Sequence, residues 1–208
     1  EGLNQNSWIG TDFPDDSWAS GTTGIGYATQ DADDYDPLIA IDVQDLMYQQ
    51  NPTVYVRIPF TVADPSTSSA LNLKMKWDDG FVAYLNGNPL PVAEENAPST
   101  DALDYQSEAT ANHDDDEALV YDNYALSSSL LMVGPNVLCI HGLNAGTSSS
   151  NDKDSDNEGH LLMILLCLPL GLLAVIAWAI LVMIKRRKLA SICDRLRRPS
   201  AAAPPAHQ

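Results

Sequence analysis

The 208-residue chain has few of the residues on which disulfide-rich and nucleic-acid-binding domains depend. Its three cysteines, Cys139, Cys167 and Cys193, fall in three separate regions of the sequence, so we expect no disulfide between them. Only four lysines and arginines occur among the first 160 residues, which contain 27 acidic residues. Because binding to phosphates requires a basic face, this shortage argues against nucleic acid as a partner.

Sequence motifs that mark the common enzyme classes are also missing. The glycines of GTTGIG, residues 21–26, do not have the spacing of a dinucleotide-binding loop, and no strand-to-helix pattern surrounds them. The chain contains no nucleophile-elbow motif and no zinc-ligand spacing. We therefore expect that the protein is not an enzyme.

One long apolar run organises the rest of the chain. Twenty-four consecutive residues, from Leu161 to Ile184, carry no charged side chain, and they include Pro169 and Trp178. As a helix this run would be about 36 Å long, which exceeds the roughly 30 Å of a bilayer core. Proline and glycine are tolerated within membrane helices. The run therefore predicts a single transmembrane helix over residues 161–184.

The charges on either side of this run predict its orientation. Four basic residues follow it directly: Lys185, Arg186, Arg187 and Lys188. The preceding linker, residues 146–160, is acidic and rich in serine. Because basic residues stay on the cytoplasmic side, we expect a single-pass protein of the plasma membrane with residues 1–145 outside. Residues 185–208 would form a cytoplasmic tail that is disordered at its end, and membrane lipid is the first expected partner.

Residues 1–145 contain short segments in which apolar and polar residues alternate. In residues 71–77 (LNLKMKW), leucine, methionine and tryptophan alternate with asparagine and lysine, which predicts a half-buried strand. Residues 53–62 (TVYVRIPFTV) alternate in the same way, and Pro59 predicts that this strand lies at an edge or a bulge. Asn86-Gly87 predicts a hairpin turn between the next two strands.

The remaining pattern contains little helix. Residues 41–49 predict one short helical turn with Asp42 as its N-cap, whereas residues 118–121 and 136–141 have β character. Short strands separated by glycine and proline turns are typical of a sandwich. We therefore predict a mainly β protein: an antiparallel, jelly-roll-like β-sandwich followed by one transmembrane α-helix.

Several of these segments resemble a recurring β-sandwich module of large secreted or surface proteins of planctomycete-type and verrucomicrobial bacteria. They are SWASGTTGIGY (17–27), VYVRIPFTVADPS (54–66), LNLKMKWDDGFVAYLNG (71–87), ENAP (95–98), ATANHDD (109–115) and NVLCIHGLN (136–144). The module is similar in architecture to galactose-binding-like jelly rolls. The resemblance implies a β-sandwich fold and a cell-surface setting, and it supplies no catalytic residues.

The chain departs from this module after the GLN turn. Such modules close with a short apolar strand there, whereas this chain has its acidic linker. The next apolar residues, 161–165, belong to the predicted membrane helix. Either the closing strand is missing or these residues form it, and we favour the helix because no turn residue interrupts the run before Pro169.

Two dense groups of carboxylates are candidates for a structural Ca²⁺ site, because this cation prefers oxygen ligands. The candidate ligands are Asp33, Asp34, Asp36, Asp114, Asp115 and Asp116. Their spacing fits no EF-hand loop, and the alternative is that they are solvated loop charges. Apart from such an ion we expect no cofactor.

Trp77, Asp78 and Asp79 are the candidates for contact with a ligand, since an exposed aromatic ring can stack on a sugar. The alternatives are that Trp77 belongs to the core and that Asp78-Asp79-Gly80 only turns the chain.

These features predict a membrane-anchored extracellular interaction module without catalytic activity. Adhesion, glycan binding or assembly with an envelope protein are the functions that would suit it, so a surface glycan or an envelope protein is the expected partner besides lipid. The alternative is an accessory membrane subunit of a larger complex, whose helix packs in the assembly and whose sandwich caps it.

Overall fold

In the computed structural model of the chain, two β-sheets contribute buried residues to one hydrophobic core. The structure describes residues 7–29, 35–67, 70–145, 161–169 and 180–183. In pairing order, the six-stranded sheet contains β1 (Ala19–Gly21), β11 (Ile180–Met183), β4 (Thr53–Val62), β9 (Gly134–Leu143), β6 (Gly80–Leu85) and β7 (Asn88–Glu95). The five-stranded sheet contains β3 (Ile41–Asp42), β2 (Ile25–Tyr27), β10 (Leu161–Pro169), β5 (Leu71–Asp78) and β8 (Asp122–Leu126).

Neighbouring strands are antiparallel except for β2 and β3, which run parallel. Helical structure among the described residues is limited to α1 (Gln44–Met47), α2 (Asp115–Ala118) and four short 3₁₀ segments: Asp36–Leu38, Pro65–Thr67, Thr100–Ala102 and Ser128–Leu130. The prediction of a mainly β protein with antiparallel sheets is confirmed, and the arrangement is consistent with the predicted sandwich.

The core between the sheets is built from strand residues that alternate in direction. On β5 every apolar residue is buried, whereas its asparagine and two lysines are partly exposed, so the predicted half-buried strand is confirmed. The predicted hairpin is also confirmed, because Asn86 and Gly87 link β6 to β7 with positive φ angles of 52° and 81°.

Strand β4 is buried more deeply than its alternation predicts, because a second apolar layer covers the outer face of the six-stranded sheet. This layer contains Trp8, Ile9, Trp18, Tyr55, Val137 and Cys139. Pro59 nevertheless has the predicted edge position: β11 pairs only with residues 55–57 of β4, so among the described strands Pro59 has a neighbour on one side only.

A buried arginine attaches the N-terminal segment to this outer face. Arg57 is 2% exposed, and its Nε lies 2.9 Å from the Asp15 carboxylate. Its Nη1 donates to the carbonyl of Trp8 and, at 2.9 Å, to that of Gly10. The rings of Phe13 and Trp18 lie 5.3 and 6.0 Å from the guanidinium carbon. A segment with little regular structure is therefore fixed by one charged side chain.

Two local predictions need correction in their bounds. The predicted helical turn is present as α1 but begins at Gln44, whose N–H donates to the Asp42 carboxylate at 2.8 Å. The strand predicted at residues 118–121 begins only at Asp122. Ala118 is instead the last residue of α2, and it is fully buried in a small cluster with Tyr35. Burial of this side chain helps to hold the helical turn in place.

The largest correction concerns the apolar run. Leu161–Pro169 forms β10, which pairs antiparallel with both β2 and β5, and Ile180–Met183 forms β11 between β1 and β4. The prediction of one continuous helix over residues 161–184 is therefore wrong for these two segments. No helix within the described ranges has the length and apolar character needed to cross a bilayer.

Strand pairing explains this outcome. Without β10, the facing edges of β2 and β5 would leave backbone N–H and C=O groups unpaired in the middle of a sheet. A continuous apolar sequence is compatible both with a central, buried strand and with a membrane helix. The periodicity of apolar residues therefore does not distinguish these two structures. Trp178, the linker, and the basic tail with Lys185, Arg186, Arg187 and Lys188 lie outside the described residues.

Candidate functional site

Two adjacent carboxyl groups are buried where β5 passes into β6. Asp78 is the last residue of β5, and Asp79 precedes Gly80, the first residue of β6. Their exposed fractions are 1% and 9%. Gly80 is required for this close approach, because a Cβ there would lie 2.8 Å from the carbonyl oxygen of Asn96. The Asp78-Asp79-Gly80 turn predicted from the sequence is thus a buried junction between β5 and β6.

Asp79 accepts hydrogen bonds from two distant backbone segments. Its Oδ2 accepts from the N–H of Ala145 at 2.6 Å, and its Oδ1 accepts from the N–H of His113 at 3.3 Å. Its carbonyl oxygen accepts from the side-chain amide of Asn96 at 2.9 Å. Burial raises the pKa of Asp79, and the two N–H donors act in the opposite direction.

Asp78 lies beside the Tyr35 hydroxyl, which donates to its Oδ2 at 3.3 Å. The same hydroxyl is 3.5 Å from Oδ1 of Asp115. Burial raises the pKa of Asp78 to about 9, and the neighbouring charge of Asp79 adds to the effect. At neutral pH we therefore assign a proton to Asp78, and because two N–H groups donate to the Asp79 carboxylate, we assign the negative charge of the pair to Asp79. The same burial raises the pKa of Tyr35.

The ring of Trp77 is covered by its neighbours. The His113 ring stacks on it with 3.6 Å between centroids and 3° between planes, and Phe81 lies 5.6 Å away. Trp77 Nε1 donates to Asp122 at 2.7 Å. The structure thus places the predicted ligand residues Trp77, Asp78 and Asp79 together, but in the core. Ligand contact at these residues stays a prediction.

Of the two predicted carboxylate groups, the second contacts the residue before Asp36: the Tyr35 hydroxyl lies 3.5 Å from Oδ1 of Asp115. Asp114 and Asp116 flank that contact at the start of α2, whereas Asp33 and Asp34 lie outside the described residues. In the part of the chain that the structure describes, no three His, Cys, Asp or Glu side chains are grouped so that they could hold a metal ion. The Ca²⁺ hypothesis therefore gains no support there.

A polar cleft of about 210 Å³ opens beside this junction. One wall follows α1 and the other is a segment that precedes α2. The cleft is lined by Gln50, Asn51, Pro52, Tyr105, Gln106 and Glu108. Sequence reasoning missed these residues, because neither alternation nor a motif marks them; the amide-rich QQNP segment is the one local signal.

Backbone hydrogen bonds connect the cleft to the carboxyl pair. Ala145, which is held by Asp79, follows Asn144, whose N–H donates to the carbonyl of Pro52 at 2.8 Å. The carbonyl of Asn144 accepts from the N–H of Ala109 at 3.0 Å. Pro52 lines the cleft and Ala109 follows a lining residue. Asp79 therefore helps to position both walls.

Comparisons with known proteins identify no family. No protein-family model matches the chain, and no curated protein matches it. Among solved structures, it is similar to α-L-rhamnosidases from Aspergillus terreus (TM-score 0.32, 17% identity) and Dictyoglumus thermophilum (TM-score 0.32, 11% identity). These comparisons cover 58% and 56% of this chain but 14% and 12% of the enzymes, so the chain spans a small part of their length. Similarity at this level carries no functional conclusion.

Proposed function

We propose that this chain is an extracellular interaction module without catalytic activity. We also propose that it is held at a membrane in a second state, in which its apolar run has left the two sheets and crosses the bilayer ahead of the basic segment. We further propose that its two sheets form a jelly-roll-like sandwich related to the bacterial surface modules that the sequence resembles. One observation supports this proposal: the polar side chains form two separate groups. The buried pair Asp78 and Asp79 supports the fold, whereas the polar residues of the cleft are open to solvent.

The carboxyl pair has the surroundings of a structural centre. Carboxylates that hydrolyse glycosidic bonds stand on opposite sides of a substrate and have access to it. Asp78 and Asp79 are adjacent in sequence, almost completely buried, and engaged by a hydroxyl and two backbone N–H groups. These contacts support a non-catalytic role.

The cleft has the surroundings of a binding site. Gln50, Gln106 and Glu108 are exposed, and the cleft lies on loops at one end of the sheets. Binding residues are commonly carried by loops that a rigid scaffold positions. The membrane attachment rests on the sequence, because 24 uncharged residues precede four consecutive basic ones.

The test is binding and topology of the full chain in mild detergent and in cells. On an array of surface glycans and envelope proteins, the purified chain should bind a subset without altering it chemically. In intact cells that display the chain, external protease should remove residues 1–145 and spare an epitope on the tail. Turnover of a bound glycan, or protection of residues 1–145, would contradict the proposal.

The accessory-subunit alternative has its own signature. Stoichiometric co-purification with a membrane complex, without binding to any arrayed molecule, would favour it over the interaction module.

A further inference from the structure

The polar cleft presents hydrogen-bond acceptors that are already fixed in place on one wall. The side-chain N–H groups of Gln50 and Asn51 donate to the carbonyls of Asp45 and Leu46 at the end of α1, at 2.7 and 2.6 Å. One N–H of each amide is thus used within the protein, and each amide plane is held. The amide oxygen and the second N–H of each group remain for a ligand.

The opposite wall supplies groups that remain adjustable. The Gln106 amide and the Glu108 carboxylate have no hydrogen-bond partner among the described residues, and both side chains are exposed. The backbone beneath them is fixed, because the Tyr105 carbonyl accepts from the Thr53 hydroxyl at 3.0 Å and the Tyr105 ring packs on the outer apolar layer. Gln106 therefore offers a donor and an acceptor, and Glu108 offers a strong acceptor.

Charge and size restrict what such a cleft accepts. Among the described residues, no lysine or arginine lines it and Glu108 is the one charged residue that does, so a phosphate or carboxylate would be repelled. A purely apolar molecule would leave the amides and the carboxylate without partners. At about 210 Å³ the cleft is smaller than typical drug-sized pockets of roughly 300–1,000 Å³. A single small ring that carries hydroxyl groups satisfies all three restrictions.

We propose that this cleft binds one neutral sugar ring, either free or at the end of a glycan. This inference rests on the proposed function and names its ligand class and site. Ring hydroxyls donate to the oxygens of Gln50, Asn51 and Glu108 and accept from the Gln106 amide. Pro52 and the Tyr105 side chain provide apolar surface for the C–H face of the ring.

The experiment is a titration of the full chain in mild detergent with D-glucose, D-galactose, D-mannose, L-fucose and N-acetylglucosamine. Spermidine serves as the cationic probe and glucuronate as the anionic one. We expect a dissociation constant in the range of about 0.1–10 mM for at least one neutral sugar, and no binding of glucuronate. Gln106→Ala and Glu108→Ala should each weaken binding by about tenfold, the effect of losing one good hydrogen bond.

Matched controls separate the cleft from the rest of the surface. Gln44→Ala removes an amide from α1, and Asp116→Asn removes an exposed charge from α2. Both residues lie outside the cleft, so neither change should alter the affinity. Thermal unfolding of all four variants checks that they fold.

Each contrary result has a distinct meaning. Sugar binding that the two cleft variants leave unchanged would overturn this site while leaving the interaction module intact. Binding of spermidine alone at the cleft would overturn the ligand class. No binding of any sugar up to about 50 mM would overturn the inference, and the arrayed envelope proteins and the protease experiment would still test the proposed function separately.

Discussion

At the scale of single residues, Arg57 shows how one buried charge orders a segment that has little secondary structure. Its guanidinium is the meeting point of the Asp15 carboxylate and two carbonyls of the N-terminal segment. Removing the guanidinium leaves two carbonyls and the partly exposed Asp15 carboxylate without their donor. We expect Arg57→Ala to lower the free energy of unfolding by about 1.5–3 kcal/mol, measured by urea denaturation.

The control for Arg57 is Lys74→Ala, which removes a positive charge from the partly exposed face of β5. A surface change of this kind alters stability by less than about 0.5 kcal/mol. Equal losses in the two variants would show that Arg57 does not fasten the N-terminal segment.

Asp78 and Asp79 should respond to substitution in opposite ways. The pKa of Asp78 is raised to about 9, above its unfolded value, so the folded state holds this proton more tightly. The stabilisation is fully present below about pH 4 and is lost as the pH rises toward 9. Asp78→Asn keeps a neutral side chain, so its urea midpoint should decline less than that of the wild type between about pH 6 and pH 9.

Asp79→Asn should instead destabilise the protein at neutral pH. It replaces the charged acceptor of the Ala145 and His113 N–H groups, and hydrogen bonds to charged groups contribute about 1.5–3 kcal/mol. Urea denaturation at pH 7 measures the loss. A variant Asp79→Asn as stable as Asp78→Asn would contradict the assignment of the negative charge of the pair to Asp79.

At the scale of elements, the sequence predicts those strands and turns that depend on neighbouring residues. The alternation of apolar and polar residues predicts β5, and Asn86-Gly87 predicts the hairpin between β6 and β7. The burial of Asp79 depends on partners 34 and 66 residues away, and the cleft on two loops that meet only in the fold. No local pattern encodes such contacts.

Strand β10 gives the clearest test at this scale. It pairs with β5 over eight residues and with β2 over three, and it separates the two strands. Deleting residues 161–208 should therefore open the five-stranded sheet, lower the unfolding midpoint and promote aggregation through exposed edges. Light scattering and thermal unfolding measure both effects.

The matched control is deletion of residues 185–208, which removes the tail and keeps both C-terminal strands. A chain shortened in this way should unfold like the full chain. If both deletions behaved alike, β10 would not be needed to close the sheet.

At the scale of the whole molecule, the apolar run has two mutually exclusive uses. As strands, its two ends complete both sheets, because β10 lies within one sheet and β11 within the other. As a helix, its 24 residues would cross a bilayer. With β10 retained in the sheet, the 15 residues that follow Pro169 would make a helix of only about 22 Å, which is too short to cross. A chain that keeps β10 in its sheet therefore does not span a membrane with this run.

Backbone hydrogen exchange of the full chain distinguishes the two uses in one experiment. In aqueous buffer, we expect residues 162–169 to exchange slowly together with residues 71–78 of β5, because each strand protects the other, and to lose protection together when urea unfolds the sheets. In lipid nanodiscs, a membrane helix would keep residues 161–184 protected in urea concentrations that unfold β5, because a bilayer leaves backbone groups no partner outside the helix. If both segments lose protection together in nanodiscs as well, the run belongs to the sheets in either setting, and the membrane must be reached by other residues. If residues 161–184 stay protected while β5 exchanges faster than in buffer, the run has left the sheets for the bilayer. Membrane insertion and completion of the sheets then compete for the same residues.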